Sequence, residues 1–454
     1  MSRLVVVSNR VAQPREARAG GLASAMQAAL EPCGGLWFGW SGRIVDGEAG
    51  PPQVERAAGI DYALVDLSRA DHDQYYLGFA NRTLWPLLHF RPSLLDYHRD
   101  EFAGYLRANA AFARQLAPLL RDDDVVWIHD YHLIPLGAEL RALGVGARIG
   151  FFLHVPVPPP GLLVVLPHHE KLFPQLAAYD LVGVQTRRDR DALLAYFQDE
   201  LHAATDARGD VALPGGRCFG IAAFPIGIDA TKVAEQARRA ANSPATARLV
   251  RSLEGRKLVI GVDRLDYSKG LPQRFEAFGR FLARHAEWRS RVSFLQIAPP
   301  SREQVQEYRD LRSRLERLAG ATNGRYAEPD WVPIRYVNRS FTQGTLAGFH
   351  RVADVGLVTP LRDGMNLVAK EYVAAQPPDD PGVLVLSSFA GAADELAEAI
   401  IINPLDPEDI VESLERALSM PRDERRERWA AMFERVRRDD VARWRHAFLE
   451  RLAA

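Results

Sequence analysis

Cysteine is nearly missing: Cys33 and Cys218 are the only two in 454 residues. That is too few for a disulfide framework and lacks the spacing of a zinc site, so a reducing compartment is expected and a structural metal is not. Long apolar runs are missing as well. Stretches such as residues 4–7 and 162–166 fall far short of the roughly 20 residues that a membrane helix needs, and the first residues lack a signal-peptide core. The expectation is a cytoplasmic chain with no membrane partner. Charge of one sign is not in excess, because 57 basic side chains face 58 acidic ones for a formal net charge of −1. Without a global field, nucleic acid is not an expected partner, and any anionic ligand has to be met by a local cluster. No fixed-period repeat or low-complexity tract interrupts the chain.

What is present is an alternation of short β-branched runs with helical stretches. Residues 4–7, 125–128, 149–153 and 181–184 read as buried parallel strands, as do 257–262, 292–297, 355–358 and 383–387, with helices such as 22–30 and 273–285 between them. The small polar stretch at 240–254 marks a change of domain just upstream, near residue 235. Residues 422–454 are highly charged and read as helical. The expected fold class is therefore α/β, with two doubly wound Rossmann-like domains facing across a cleft. In such folds ligands bind beyond the carboxyl ends of the strands. Arg10, Asp130, His154, Arg264 and Asp363 each follow a strand.

Two clusters point to a phosphorylated sugar. In Arg264-Leu265-Asp266-Tyr267-Ser268-Lys269-Gly270 a strand runs into a loop with two cations five residues apart, suited to a diphosphate whose charge grows as it leaves. Gly261 and Gly270 are expected to give a phosphate room at the backbone. The second cluster, residues 362–371, is a glycine-containing turn that opens a helix after the strand 355–358. Its free amides suit an anion or a sugar, while Asp363 and Glu371 suit diols. An N-cap aspartate and an ordinary exposed glutamate explain that spacing equally well. Trp37, Trp40, Tyr76 and Trp85 gather aromatics in the first quarter of the chain, where flat rings suit sugar faces as well as cores. Arg10 and Arg302 are candidates for a monoester phosphate. Asp122-Asp123-Asp124 precedes a strand and reads as a solvated turn, and neither His168-His169 nor His129 with His132 has a third ligand at a metal-site spacing. No metal and no cofactor are expected.

Ser8-Asn9-Arg10, the run GGLWFGWSG at 34–42, WIHDYHL at 127–133, RLDYSKG at 264–270 and VTPLRDGMNLVAKEYVAAQ from Val358 together resemble the trehalose-6-phosphate synthase family of retaining glycosyltransferases, nearly end to end. The resemblance implies the two-Rossmann-domain GT-B fold. It implies an acceptor domain at 1–235, a nucleotide-sugar domain at 236–435, and a final helix at 436–454 that crosses back to the first domain. It also implies that Arg10, Trp40, Tyr76, Trp85, Asp130 and Arg302 hold glucose 6-phosphate. On the donor side it places Gly20, Gly21, His154, Arg264, Lys269, Phe341, Asp363, Gly364, Met365, Asn366, Leu367, Val368, Ala369, Lys370 and Glu371. Asp130, His154, Arg264, Lys269 and Asp363 are the residues implied for catalysis. The substrates implied are a nucleotide diphosphate glucose, UDP-glucose foremost, and glucose 6-phosphate, with a homodimer or homotetramer as the assembly. Residue types leave uridine, guanosine and adenosine open as the base.

One stretch departs from the family pattern. Pro159-Pro160-Gly161-Leu162-Leu163 stands where the family has a Glu-Ile-Phe segment, and Gly161 occupies the place of the glutamate. That motivates a second reading, a related transferase with another acceptor. A third, a sugar-phosphate sensor without turnover, is opposed by the presence of Arg264, Lys269, Asp363 and Glu371. A dinucleotide oxidoreductase is opposed by the missing Gly-x-Gly-x-x-Gly turn after the first strand.

Overall fold

The computed structural model describes residues 2–12, 21–31, 33–302 and 304–454. Gly20, implied at the donor, lies outside them. The chain forms two compact units, the first from 1–226 with 441–454 and the second from 227–440.

In the first unit the strands are β1 (Leu4–Arg10), β2 (Gly35–Val45), β3 (Gln53–Ala57), β4 (Ile60–Ser68), β5 (Val125–His129), β6 (Arg148–Phe152), β7 (Leu181–Val184), β8 (Ala204–Thr205), β9 (Asp210–Ala212) and β10 (Cys218–Ala223). They make one sheet in the order β3-β4-β2-β1-β5-β6-β7-β10-β9-β8. From β4 across to β10 neighbours run parallel, and the two edges are antiparallel. The parallel strands are buried on both faces, which is why they read as unbroken apolar runs such as Val5-Val6-Val7. The helix Val441–Ala453 belongs to this unit. Its Phe448 stacks on Trp127 at 4.6 Å and Trp444 lies 4.7 Å from the same ring. The floor beneath is glycine: a Cβ at Gly150 or Gly183 would come within 2.7 or 2.8 Å of the Phe448 ring.

The second unit contains β11 (Lys257–Val262), β12 (Val292–Ile297), β13 (Ile334–Val337), β14 (Val355–Val358), β15 (Val383–Ser387) and β16 (Ile400–Ile402). All pairs are parallel, in the order β13-β12-β11-β14-β15-β16. That is the dinucleotide-fold order, in which winding reverses between the first and fourth strands, here β11 and β14. In the first unit the same reversal falls between β1 and β5.

Four features differ from the sequence reading. The chain passes between units at 226/227 and 440/441; residue 235 falls inside the helix Ala230–Ala240. The charged C-terminal stretch is two helices, Arg422–Arg438 in the second unit and Val441–Ala453 in the first. Ser8-Asn9-Arg10 does not end β1 but continues it, with an irregularity between Ser8 and Arg10. Asp124 is not solvated, unlike Asp122 and Asp123: buried at the start of β5, it takes two bonds from Arg3, at 2.9 and 2.6 Å. Among the described residues no helix is long and apolar enough to cross a membrane.

Candidate functional site

In the second unit the loops after β11 and β14 meet. Leu361 N–H donates to the Ser268 carbonyl at 2.7 Å, and Lys269 Nζ donates to Asp363 Oδ2 at 2.5 Å. Asn366 Nδ2 donates to the same oxygen at 3.0 Å. Asn366, at φ 74, is the N-cap of the helix Leu367–Ala375 and accepts from Ala369 N–H through its side chain. Asp363, an N-cap on one of the two readings of the spacing, is instead the partner of a lysine. Beneath these loops Arg274 is fully buried. It donates to Asp263 at 2.9 Å, to Gln296 at 2.8 Å and to Thr359 at 3.0 Å. One guanidinium thus ties the ends of β11, β12 and β14.

The two glycines do a different job from the one expected. A Cβ at Gly261 would lie 2.3 Å from Arg274 Nη1, and one at Gly270, whose φ is +66, would lie 2.1 Å from the Thr359 carbonyl oxygen. Their room is filled by the protein, and Gly270 also supplies a left-handed turn.

Arg264 is exposed at the mouth of the loop. Arg302, in the same unit, has a buried guanidinium that donates to the Tyr308 hydroxyl at 2.6 Å and sits 3.6 Å from Asp266. Asp266 accepts from Ser268 N–H and from Tyr308, so it anchors the loop. Phe341 follows β13, half-buried, beneath the Arg339 guanidinium at 4.8 Å. Within the turn and helix, Gly364, Met365 and Ala369 are buried, while Leu367 and Val368 are partly exposed. Lys370 turns away into the interior, where it donates to Glu395 at 2.8 Å. Glu371 is half-buried, and desolvation pushes its carboxyl up to about 7.

In the first unit the reversal between β1 and β5 gathers rings. The irregularity in β1 brings Arg10 opposite Trp40, with its guanidinium 5.9 Å from the ring centre. Gly42, at φ +91, leaves that space; a Cβ there would lie 2.8 Å from Arg10 Nη2. Tyr75 and Tyr76 come from a π-helix, His72–Leu84, a rare wide-turned geometry often found at functional sites. Trp40, Tyr76, His132, Tyr131 and Trp85 then follow one another at 5.3, 6.0, 4.0 and 5.6 Å. Asp130 holds φ 77, a conformation that costs a non-glycine residue energy and persists only when its surroundings enforce it. Here its N–H donates to the Phe152 carbonyl at 2.7 Å and its Oδ1 accepts from His154 N–H at 3.2 Å. The His154 ring lies 3.1 Å from His129 Nδ1 and 3.2 Å from Gln185 Nε2. Burial brings its pKa down to about 3, so it is neutral at physiological pH. Gly21 opens the helix Gly21–Leu30.

The structure therefore places Arg10, Trp40, Tyr76, Trp85, Asp130 and His154 in one unit, and Arg264, Lys269, Arg302, Phe341 and residues 363–371 in the other. Sequence reasoning missed Asp266, Arg274, His129 and Gln185. Asp266 and His129 lay within recognised motifs without a role of their own; Arg274 and Gln185 are joined to the site only by folding. Among the described residues no group of three or more His, Cys, Asp or Glu side chains is placed to hold a metal ion.

The match to Glycosyltransferase family 20 covers residues 3–454. A trehalose-6-phosphate synthase of Sinorhizobium fredii (strain NBRC 101917 / NGR234) is 50% identical, over 100% of this chain and 99% of its own. A UDP-forming alpha,alpha-trehalose-phosphate synthase of Burkholderia xenovorans, solved in complex with glucose-6-phosphate, superposes with a TM-score of 0.98 at 48% identity over 100% of both chains. A chain from E. coli bound with UDP-2-fluoro glucose gives 0.94 at 45% identity, over 99% of each. This chain belongs to glycosyltransferase family 20, alongside the trehalose-6-phosphate synthases.

Proposed function

We propose that the chain transfers glucose, with retention, from a nucleotide diphosphate glucose, UDP-glucose foremost, to glucose 6-phosphate, yielding α,α-trehalose 6-phosphate and the nucleotide diphosphate. The full-length likeness to a UDP-forming synthase carries this reading; the two reversal points support its division of labour. Arg264 and Lys269 take up the growing charge of the leaving diphosphate, with Asp363 holding the Lys269 ammonium at 2.5 Å until then. Glu371 accepts hydroxyls of the nucleotide sugar, and Phe341 lies by the base. Arg10, Trp40, Tyr76, Trp85 and Asp130 hold glucose 6-phosphate, joined by Arg302, while His154 contacts the transferred glucose. The acceptor hydroxyl attacks from the face the diphosphate leaves. Its oxygen bonds to the anomeric carbon, the carbon–oxygen bond to phosphate breaks, and the departing phosphate oxygen takes the proton.

Release of nucleotide diphosphate from UDP-, GDP- and ADP-glucose, with and without glucose 6-phosphate, tests this. Acceptor-dependent release giving an α,α-linked phosphodisaccharide is expected. No release from any of the three donors with glucose 6-phosphate rejects it. Gly161, in place of the family's glutamate, favours one further reading, a different acceptor; release with other sugars but not glucose 6-phosphate would establish it.

A further inference from the structure

Hydrogen-bond direction can be followed through the buried polar chain behind His154. The Ile226 backbone N–H can only donate, and it does so to Gln185 Oε1 at 3.0 Å. That fixes the carboxamide, so Nε2 is the end facing His154 Nδ1 at 3.2 Å, and Nε2 can only donate. His154 Nδ1 must then accept, and the ring proton resides on Nε2, which faces His129 Nδ1 at 3.1 Å. His129 accepts there and keeps its own proton on Nε2, a buried atom with no hydrogen-bond partner among the described residues. The reverse assignment would set the Gln185 N–H against a ring N–H.

We infer that Gln185 is a positioning residue for the transfer: anchored by the Ile226 amide, it holds the His154 ring as the Nε2–H tautomer, handed on to His129. The inference rests on the reading that puts His154 at the transferred glucose. The ring is gripped on both nitrogens and its own backbone N–H is held by Asp130, so its face and edge are set before any sugar arrives. Trp444 packs near it, with its ring centre 6.0 Å from that of His154. The groups facing the ring are His129 and Asp130 from the end of β5, Phe152 from the end of β6, Gln185 from the end of β7 and Trp444 from the helix Val441–Ala453. Of these only His129 and Asp130 titrate, and burial holds both imidazoles in the neutral form.

Gln185→Glu keeps the shape but offers oxygens that only accept. His154 must then carry its proton on Nδ1, and the added negative charge favours the imidazolium. The expected result with UDP-glucose and glucose 6-phosphate is a kcat lowered at least about tenfold, a new acid-side limb in its pH profile, and a donor KM within about threefold of the parent. Nitrogen-15 spectra of His154 should show protonated Nε2 in the parent and protonated Nδ1 in the variant. A parent ring protonated at Nδ1, or a Gln185→Glu enzyme with the parent's kcat and pH profile, overturns the inference. Should Gln185→Glu not fold, His129→Asn, which retains an acceptor, and His129→Leu, which does not, serve instead. The second is expected to lose more kcat than the first, and equal kcat in the two overturns the inference. His154→Ala separates the two levels. Loss of kcat there beside an unaffected Gln185→Glu rejects the role of Gln185 alone, while retained kcat in His154→Ala rejects the role of His154 and with it that of Gln185.

Discussion

The two reversal points are built from opposite materials. In the second unit ions are held by ions: Lys269 by Asp363 where the two loops meet, and Arg274 by Asp263 beneath them. In the first unit rings are held by rings, from Trp40 through Tyr76 to Trp85, and the imidazoles are kept neutral by burial. A leaving diphosphate needs charge, and preformed ion pairs store it in place without water having to reorganise. A sugar needs flat apolar faces with polar edges, which rings supply at low entropic cost. The chemistry of each half can be argued from what was spent on holding it.

The contrast is most open to attack at Arg274. Arg274→Met leaves the Asp263 carboxylate buried without its cation, and loss of one member of such a pair costs about 3 to 5 kcal/mol. Denaturant unfolding should show that loss; a change below about 1 kcal/mol would mean the ions of the second unit are dispensable. Next comes Lys269→Ala, expected to lower kcat by about 100- to 1,000-fold, in line with the removal of one donor to a developing anion, with a smaller loss of stability than Arg274→Met because Asp363 keeps its bond from Asn366. Steady-state kinetics beside a melting curve will separate the two effects, and an unaltered kcat would remove Lys269 from the leaving-group site.

Glu371 tests whether the charged half carries strain. Its carboxyl, raised to about 7 by desolvation, favours the protonated form in the folded state. The stability this confers is complete below the unfolded value near 4.5 and is lost as pH rises through about 7. Glu371→Gln is therefore expected to be more stable than the parent at pH 8, by about 1 kcal/mol after discounting for a half-exposed group, with the gap closing toward pH 5. Nucleotide affinity should strengthen in the parent from pH 6 to pH 8 and stay flat in the variant, as read by calorimetry. The smallest effect belongs to the ring-built half. Gly161 is exposed with nothing near its would-be Cβ, so Gly161→Glu should alter stability by no more than about 0.5 kcal/mol. Its readout is the KM for glucose 6-phosphate against other sugars, and an unchanged acceptor profile would end the case for the loop as a selector.

The same contrast explains what could be read in the sequence. The strands at 181–184, 257–262, 292–297 and 355–358 coincide with their sequence assignments, because strands buried on both faces leave an uninterrupted apolar signature. Strand β2 does not stand out, since Gly35-Leu36-Trp37-Phe38-Gly39-Trp40 mixes glycine with aromatics, and β16 is only three residues long. Lys269 and Asp363 were visible because each lies in a short loop after a strand, where local order suffices. The run of rings draws on β2, a π-helix, the short helix Trp85–Leu88 that follows it and the turn after β5, and its spacing exists only once the sheet has formed. The partners of His154 and the tie made by Arg274 are likewise products of topology. Residue type alone misled at Gly261 and Gly270, where the space suited a phosphate but a guanidinium and a carbonyl occupy it.

The return of residues 441–454 to the first unit sets an order of events on the ribosome. Residues 227–440 emerge after the first sheet is made but before Trp444 and Phe448, which cover Trp127, exist. At about 5 to 20 residues per second that interval lasts roughly 10 to 40 seconds. During it the first sheet stands with a glycine-floored aromatic groove open to water, so the moment of greatest aggregation risk comes while the second unit is folding.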